Sequence, residues 1–87
     1  MQSFSQNGDE KWCQNGVLHR NNGPAFVNSD RQEWYQRGKL HRIGGPAAIL
    51  PNRLEWWYRG EKHCETGPAV LYNNGREQWW IRGVRVM

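Results

Sequence analysis

Three histidines, His19, His41 and His63, have the side chain best suited to a metal ion, and they recur every 22 residues. If each interval adds two strands to a sheet, successive histidines lie roughly 9–10 Å apart, at ~4.8 Å per strand. Zinc–nitrogen bonds measure only ~2.0–2.1 Å, so histidines of successive intervals cannot share one ion. Cys64 follows His63 directly, and neighbouring side chains of a strand point to opposite faces. The sequence therefore predicts no metal site and no cofactor, with each histidine supporting a turn through a hydrogen bond to the backbone.

Groups that could perform catalysis are not arranged for it in this sequence. No serine, cysteine or pair of carboxylates has the surroundings of a nucleophile or of a general acid and base. Most acids are glutamates in aromatic-rich segments, and we expect Glu33 and Glu55 to pair with arginines of neighbouring strands. The sequence predicts a protein that is not an enzyme and has no catalytic residues.

Arginines that recur beside aromatic residues are the strongest candidates for binding. Arginine stacks on aromatic rings, forms paired hydrogen bonds with carboxylates or phosphates, and anchors protein interfaces. The alternation of side chains along a strand predicts a single face that carries both residue types. The predicted partner-binding residues are Arg31, Tyr35, Arg37, Arg53, Trp57, Arg59, Arg76, Trp80 and Arg82.

Three interpretations of this face remain open. It is a solvated surface of Arg–Glu pairs, each of which contributes little to stability. Alternatively it binds a protein partner, or it binds an anionic ligand such as single-stranded nucleic acid, a nucleotide or an acidic lipid. Glu33, Glu55 and Glu77 interrupt the positive charge, which counts against nucleic acid.

A repeat positions all of these residues. Trp12, Trp34, Trp56 and Trp79 are spaced by 22, 22 and 23 residues, and a fixed period of this size is typical of repeat architectures. The sequence predicts a single repeat domain over residues 1–87. Its units are approximately 1–11 (partial), 12–33, 34–55, 56–78 and 79–87 (partial).

Each unit contains two predicted strands and two turns. The first strand is rich in Trp and Tyr, which favour pleated surfaces, and it ends at a turn such as Arg37-Gly38. The second strand contains a Gly-Pro step, at which we expect a bulge or bend. No helical periodicity persists anywhere. The predicted fold class is all-β, an elongated antiparallel meander of stacked β-hairpins with about seven to nine strands and no substantial helix.

Strand parity also predicts which face of the sheet is buried. The face that carries the four repeat tryptophans is the expected core side, opposite Tyr35, Trp57 and Trp80. The second strands are apolar on both faces, as at Ala47 and Ala48, and such a sheet usually has both faces covered. We therefore expect an interface with a second copy or with a partner. The last strand, 84–87, has no following strand, which predicts possible self-association through edge strands.

Composition bounds the remaining possibilities. The 87 residues carry a formal charge of +4 with a pI near 9.5, which favours anionic partners. No apolar run approaches the ~18–20 residues of a membrane span, and the N-terminus lacks the pattern of a secretory signal. Cys13 and Cys64 lie in different units and do not suggest a disulfide scaffold. The sequence predicts reduced thiols in a cytoplasmic protein.

The segment Tyr35-Gln36-Arg37-Gly38-Lys39-Leu40-His41-Arg42-Ile43-Gly44 resembles MORN repeats (membrane occupation and recognition nexus), and so do the Glu-Trp steps Glu33-Trp34 and Glu55-Trp56. The fuller pattern, Trp-x3-Gly-x2-His-Arg-x2-Gly-Pro-Ala, is similar to divergent MORN-like repeats of phages, large viruses and bacterial immunity-type proteins. The resemblance implies an elongated sheet of hairpins that serves as a binding or assembly surface. The departures, an Arg or Cys after each His and the Gly-Pro-Ala step, mean that lipid association is not implied.

The resulting hypothesis is a small non-enzymatic protein-interaction module, encoded by a phage or virus, that binds and modulates or inhibits a host protein. Its Arg/Trp-rich face would form the contact. The alternatives are binding of an anionic ligand and a structural, self-assembling subunit.

Overall fold

The computed structural model describes residues 2–87, which form fifteen short β-strands and no helix within that range. Hence none of the described residues belongs to a helix with the length and apolarity needed to cross a membrane. The strands are β1 (Gln2–Gln6), β2 (Asp9–Gln14), β3 (Val17–Leu18), β4 (Phe26–Val27), β5 (Gln32–Glu33), β6 (Tyr35–Gln36), β7 (Lys39–Leu40), β8 (Ala48–Leu50), β9 (Arg53–Glu55), β10 (Trp57–Tyr58), β11 (Glu61–Lys62), β12 (Val70–Tyr72), β13 (Glu77–Gln78), β14 (Trp80–Ile81) and β15 (Val84–Arg85).

Nine strands form one antiparallel sheet, which we call the main sheet. Its order is β1-β2-β4-β5-β8-β9-β12-β13, with β3 paired to the far end of β2. The molecule measures 38 × 24 × 17 Å, so it is elongated. The predicted fold class, an all-β antiparallel sheet of hairpins, is confirmed.

Three two-stranded hairpins, β6–β7, β10–β11 and β14–β15, extend from the main sheet. Backbone hydrogen bonds join each hairpin to the next. For example, the Arg42 amide donates to the Trp57 carbonyl (3.2 Å), and the Gly60 amide donates to the Leu40 carbonyl (2.8 Å). The equivalent pairs recur one repeat earlier and one repeat later. The hairpins therefore form a second, narrower row of strands beside the main sheet.

The repeat tryptophans mark the border between these two parts. The Trp34 amide donates to the Ala47 carbonyl (2.7 Å), and the Trp34 carbonyl accepts from the His41 amide (3.0 Å). At this residue the chain exchanges its main-sheet neighbour for the opposite strand of its own hairpin. Trp56 makes the same two bonds. The long strands expected around Trp34, Trp56 and Trp79 are therefore each divided at the tryptophan, whereas β2 continues through Trp12. These divisions contribute to the larger number of strands, fifteen.

The hairpin turns adopt the type I′ conformation, in which both central residues have positive φ. In the turn between β6 and β7, φ is 51° at Arg37 and 80° at Gly38. A positive φ is uncommon for arginine, because its Cβ crowds the backbone in this region. Four other turns repeat this conformation: Asn7-Gly8, Asn15-Gly16, Arg59-Gly60 and Arg82-Gly83. The turn predicted at Arg37-Gly38 is thus confirmed.

The fully buried interior consists of small residues. The buried apolar residues are Ala25, Ala47, Ala48, Ala69 and Val70, and Glu55 is the one buried charged residue among those described, at 9% exposure. The repeat tryptophans, expected as the core, are only half-buried. Because no second sheet packs on this one within the described residues, one face of each tryptophan ring must be covered by other side chains or by solvent.

Arginine covers two of these rings. The Arg20 guanidinium lies 3.9 Å from the centre of the Trp12 ring, and Arg42 lies 3.9 Å from that of Trp34. The Arg42 guanidinium also donates to the Pro46 carbonyl (3.0 Å), as Arg20 does to the Pro24 carbonyl (3.2 Å). Cation–π contact and a charge-assisted hydrogen bond therefore hold each loop against its strand.

A glycine completes the stack, because the guanidinium leaves no room for a side chain. A Cβ on Gly45 would lie 2.9 Å from Cζ of Arg42, and a Cβ on Gly23 would lie 3.1 Å from Cζ of Arg20. We call this arrangement, tryptophan ring, guanidinium and glycine backbone, the Trp–Arg–Gly stack.

We predict that Gly45→Ala destabilises the protein by about 1–2 kcal/mol, because the new methyl group displaces Arg42 from Trp34. Gly67→Ala is the matched control. Neither glycine has a positive φ, and nothing lies within 4 Å of a Cβ on Gly67. The control should change stability by less than about 0.5 kcal/mol. Urea unfolding of both variants measures the difference.

The same mechanism predicts that the losses of stability caused by Gly45→Ala and Arg42→Ala are not additive. Once Arg42→Ala has removed the guanidinium, Gly45→Ala should cost little more. A full, additive loss of stability in the double variant would show that Gly45 is needed for another reason.

Candidate functional site

Each histidine accepts a hydrogen bond from the hairpin turn of the following repeat. Nδ1 of His41 accepts from the Arg59 amide (3.0 Å), and Nδ1 of His63 accepts from the Arg82 amide (2.9 Å). His19 and Arg37 form the same pair at 2.9 Å. The predicted turn support is confirmed, and the bond joins neighbouring repeats. An accepting Nδ1 carries no proton, so these bonds require neutral imidazoles with the proton on Nε2.

His41 has the most perturbed surroundings of the three. Its ring centre lies 4.7 Å from that of Tyr58, with the planes inclined by 49°. Burial lowers the pKa of His41 below its usual 6.5, and the positive charge of Arg59 lowers it further. Both effects keep the imidazole neutral, as its bond to the Arg59 amide requires.

The opposite face of the hairpins carries the predicted aromatic residues, and we call it the aromatic face, defined by Tyr35, Trp57 and Trp80. Residues paired across antiparallel strands share a face. The pairs are Tyr35 with Leu40, Trp57 with Lys62, and Trp80 with Arg85. Nζ of Lys62 lies 4.7 Å from the centre of the Trp80 ring and 5.6 Å from that of Trp57. A row of rings with a cation between two of them therefore crosses the hairpins.

Hydrogen bonds to the main sheet fix the orientation of these rings. The Tyr35 hydroxyl donates to a carboxylate oxygen of Glu33 (2.9 Å), and Nε1 of Trp57 donates to Glu55 (2.8 Å). Nε1 of Trp80 donates to the side-chain oxygen of Gln78 (3.0 Å). Each partner lies two residues earlier on the same face. The rings are thus held in place before any partner binds, which lowers the entropy lost on binding.

The arginines at the starts of these strands bind the same glutamates. Arg53 donates to Glu55 at 2.6 Å, and Arg31 lies 3.5 Å from Glu33. The prediction that Glu33 and Glu55 pair with arginines of neighbouring strands is therefore wrong. The register explains why, because the main-sheet residues opposite Glu55 are Ala48 and Val70 rather than arginines. Side chains two residues apart on one strand share a face and meet instead.

Tyr35 shows the effect of this packing on a titrating group. Burial, and then the hydrogen bond to Glu33 and its negative charge, raise the pKa of Tyr35 to about 12, although Arg31 acts in the opposite direction. The phenol therefore stays protonated and continues to donate to Glu33 at neutral pH.

The turn arginines do not lie on the aromatic face, contrary to the prediction. Arg37 and Arg59 line a cavity of about 420 Å³ together with Gln36, Lys39 and His41, which lie on the other face. Cζ of Arg59 lies 5.2 Å from the centre of the Tyr58 ring. The left-handed conformation of the turn breaks the alternation of side chains that the prediction assumed. We call this side, defined by His41, Tyr58 and His63, the histidine face.

The nine predicted residues thus divide between two faces. The aromatic face holds Arg31, Tyr35, Arg53, Trp57 and Trp80, and the borders of the histidine face hold Arg37, Arg59 and Arg82. Arg76 precedes β13, is exposed, and is assigned to the aromatic face by its strand parity with Gln78 and Trp80 alone. The turn arginines are exposed, whereas the three rings are half-buried.

Two features were missed from the sequence. Lys62 was not among the predicted binding residues, although it lies between two rings, because the register of the short hairpins was not known. Arg20 and Arg42 were noted only as the residues that follow His19 and His41, and their role in the stack was missed. The signal for that role was the fixed spacing from Trp to Arg to Gly-Pro in the first two full repeats.

Other reactive groups remain apart. Cys13 and Cys64 are free thiols, both half-buried. In the stretch from Gln2 to Met87, no three His, Cys, Asp or Glu side chains converge as a metal site would require.

No protein-family model matches the chain, and neither the curated proteins nor the solved structures that were searched contain a match. The relation to MORN repeats therefore stays a prediction based on the residues of the repeat.

We predict that acidification below about pH 6.5 destabilises the protein through His41. Its folded pKa is lowered, so between the unfolded and folded values the unfolded chain binds more protons, and stability falls as pH falls. Above the unfolded-state pKa, the full stabilising contribution of His41 is present. Proton NMR titration of the imidazole should give a pKa below the unfolded value.

His41→Asn is the control for this effect, because its Oδ1 lies close to the position of the imidazole Nδ1 and can still accept from the Arg59 amide, but it does not titrate. Urea unfolding at about pH 7 and about pH 5 should reveal a smaller loss in the variant than in the parent protein. An identical loss in both proteins would remove His41 as a cause.

Proposed function

We propose that this chain is a non-enzymatic protein-interaction module whose aromatic face binds a partner protein. The observation that carries the proposal is the row formed by Trp57, Lys62 and Trp80, in which one ammonium group lies between two half-buried rings. Tryptophan and cationic side chains of this kind are frequent anchors of protein interfaces. The hydrogen bonds to Glu55 and Gln78 hold the rings in a fixed orientation, which favours tight binding.

The extent of the row suits a protein better than a small ligand. The six hairpin strands span about 24 Å at ~4.8 Å per strand, comparable with the width of a protein contact of about 800 Å² per partner. The row is open rather than enclosed, whereas small-molecule sites usually bury most of their ligand. Arg31 and Arg53 are already paired with Glu33 and Glu55, so the ammonium group of Lys62 is the charge that this row presents, and it favours a partner surface with carboxylates.

The resemblance to divergent MORN-like repeats supports a more specific version. In it the chain is encoded by a phage or virus, acts in the cytoplasm, and binds a host protein whose activity it modulates or inhibits. This version rests on the resemblance alone. The host protein must be isolated to be identified.

The partner can be recovered by affinity purification from the native cell and mass spectrometry, and its affinity then measured for two variants. We predict that Lys62→Gln weakens binding about tenfold, because the cation between the rings is lost. Arg59→Asn also removes one positive charge, but on the histidine face, and asparagine tolerates the positive φ of that turn. This control should bind as the parent does.

Equal weakening by both substitutions would indicate a general effect of charge rather than the aromatic face. Weakening by Arg59→Asn alone would move the interface to the histidine face. Either result contradicts the proposed surface.

A second candidate function is binding of an anionic ligand, and the cavity on the histidine face favours it. Arg37, Lys39 and Arg59 line this cavity of about 420 Å³ without an acidic residue. Single-stranded nucleic acid, a nucleotide or an acidic lipid headgroup has the complementary charge. A mobility shift with generic single-stranded DNA that weakens with salt would support the nucleic-acid form, and no shift at low salt would exclude it.

A self-assembling subunit is the third candidate. Val84 in the edge strand β15 is 64% exposed, and an open apolar edge can pair with another chain. Light scattering at micromolar concentration distinguishes a monomer from such an assembly.

A further inference from the structure

The third full repeat lacks the arginine of the Trp–Arg–Gly stack. Cys64 occupies the position of Arg20 and Arg42, eight residues after the repeat tryptophan. Its thiol lies 3.9 Å from the Thr66 hydroxyl and has no N–H group to donate to the Pro68 carbonyl. The tryptophan and the Gly-Pro step remain, as Trp56, Gly67 and Pro68. The third repeat therefore keeps the tryptophan ring and the glycine backbone of the stack but lacks the guanidinium between them.

The space beside the missing group is open. A Cβ on Gly67 would meet nothing within 4 Å, whereas the equivalent atoms on Gly23 and Gly45 would meet a guanidinium at 3.1 and 2.9 Å. A cavity of about 640 Å³ adjoins this space, lined by Trp56, Cys64 and Thr66 among others. The corresponding groove one repeat earlier, lined by Trp34 and Arg42, measures about 370 Å³. The loop has not collapsed onto the ring.

The charge of the groove changes together with the lost arginine. Glu65, 80% exposed, stands where the first two repeats have Asn21 and Ile43. With Glu61 it gives the larger cavity two carboxylates. The groove one repeat earlier is lined by two arginines, Arg20 and Arg42, and by no acid. Replacing an internal cation by a neutral residue and adding a carboxylate beside it makes the site attractive to an external cation.

The other cations of the cavity do not occupy the space. The Arg42 guanidinium is held by the Trp34 ring and the Pro46 carbonyl. Arg82 also lines the cavity, but this residue is exposed. His63 must be neutral at Nδ1 to accept from the Arg82 amide, and its Nε2 lies 3.3 Å from Glu65.

We propose that the third repeat binds a guanidinium group supplied from outside the chain, that of an arginine. It stacks on the Trp56 ring, donates to the Pro68 carbonyl as Arg20 and Arg42 donate to Pro24 and Pro46, and pairs with Glu65. The two occupied repeats show the geometry, in which a planar group fits between ring and glycine backbone. An ammonium group has neither the planarity nor the paired donors, so lysine should bind much more weakly. This site lies on the histidine face and does not depend on the proposed partner surface.

The test uses the full chain labelled with ¹⁵N and titrated with N-acetyl-arginine methylamide at constant ionic strength. We expect saturable shifts of the Trp56 indole N–H and the Gly67 amide, with binding at least tenfold tighter than that of the matching lysine compound. No saturable shift at tens of millimolar, or equal binding of lysine, would overturn the proposal.

Cys64→Arg fills the site from within, so the same titration should produce no saturable shift at Trp56 or Gly67. Persistence of the shifts in this variant would mean that the compound binds elsewhere. Glu65→Gln, an exposed and conservative change, provides a second check that does not depend on the folding of Cys64→Arg. It should weaken binding several-fold, and unchanged affinity would contradict the role of the carboxylate.

Transplanting the site tests its definition. Arg42→Cys with Ile43→Glu introduces the Cys-Glu pair of the third repeat at the equivalent positions of the second repeat. This double variant should produce saturable shifts at Trp34 and Gly45. Failure of this folded variant to bind would count against the proposal.

A comparison with free L-arginine identifies the source of the bound guanidinium. Tighter binding of the capped compound indicates an arginine within a polypeptide, and tighter binding of the free compound indicates the amino acid.

Discussion

Two backbone hydrogen bonds at each full-repeat tryptophan hold the two parts of the sheet together. The Trp34 amide binds the Ala47 carbonyl of the main sheet, and its carbonyl binds the His41 amide of the hairpin. Few large side chains are fully buried, so apolar burial in the interior is limited to alanines and Val70. Stability therefore depends on regular backbone pairing and on the covering of the half-buried rings. The Trp–Arg–Gly stack covers Trp12 and Trp34 without a second layer of sheet.

The histidines couple the turn of one repeat to the loop of the one before. Each turn that donates to a histidine places an arginine at positive φ, a conformation that asparagine adopts more readily. The imidazole accepts the amide of that arginine and so supports the turn where the backbone is least favourable. This role explains why histidine recurs with the period of the turn, and it ties the supporting bond to the protonation of the ring. A residue that first suggests metal binding is accounted for by a backbone amide.

The sequence was sufficient for the fold class, because period, turn residues and aromatic strands all indicated stacked hairpins. It was not sufficient for the faces of the hairpin ends. Arg37 shares its parity with Tyr35, but the left-handed turn moves its side chain to the histidine face. Glu55 carried no indication that its neighbours across the sheet would be Ala48 and Val70, so its pairing with Arg53 was not foreseen. Register and turn handedness arise from pairing along the whole sheet, and a single strand does not contain them.

The bond from His41 to the following turn has a consequence for the architecture as a whole. Each full repeat supplies an imidazole that accepts from the turn of the next repeat, so the array has a direction. An interior unit such as 34–55 both gives and receives. Excising or duplicating one such 22-residue unit would leave the amide of every arginine turn bonded to an imidazole, and the protein would shorten or lengthen by whole hairpins. The molecule is in this sense modular, with its permitted lengths set by the imidazole exchange between neighbours.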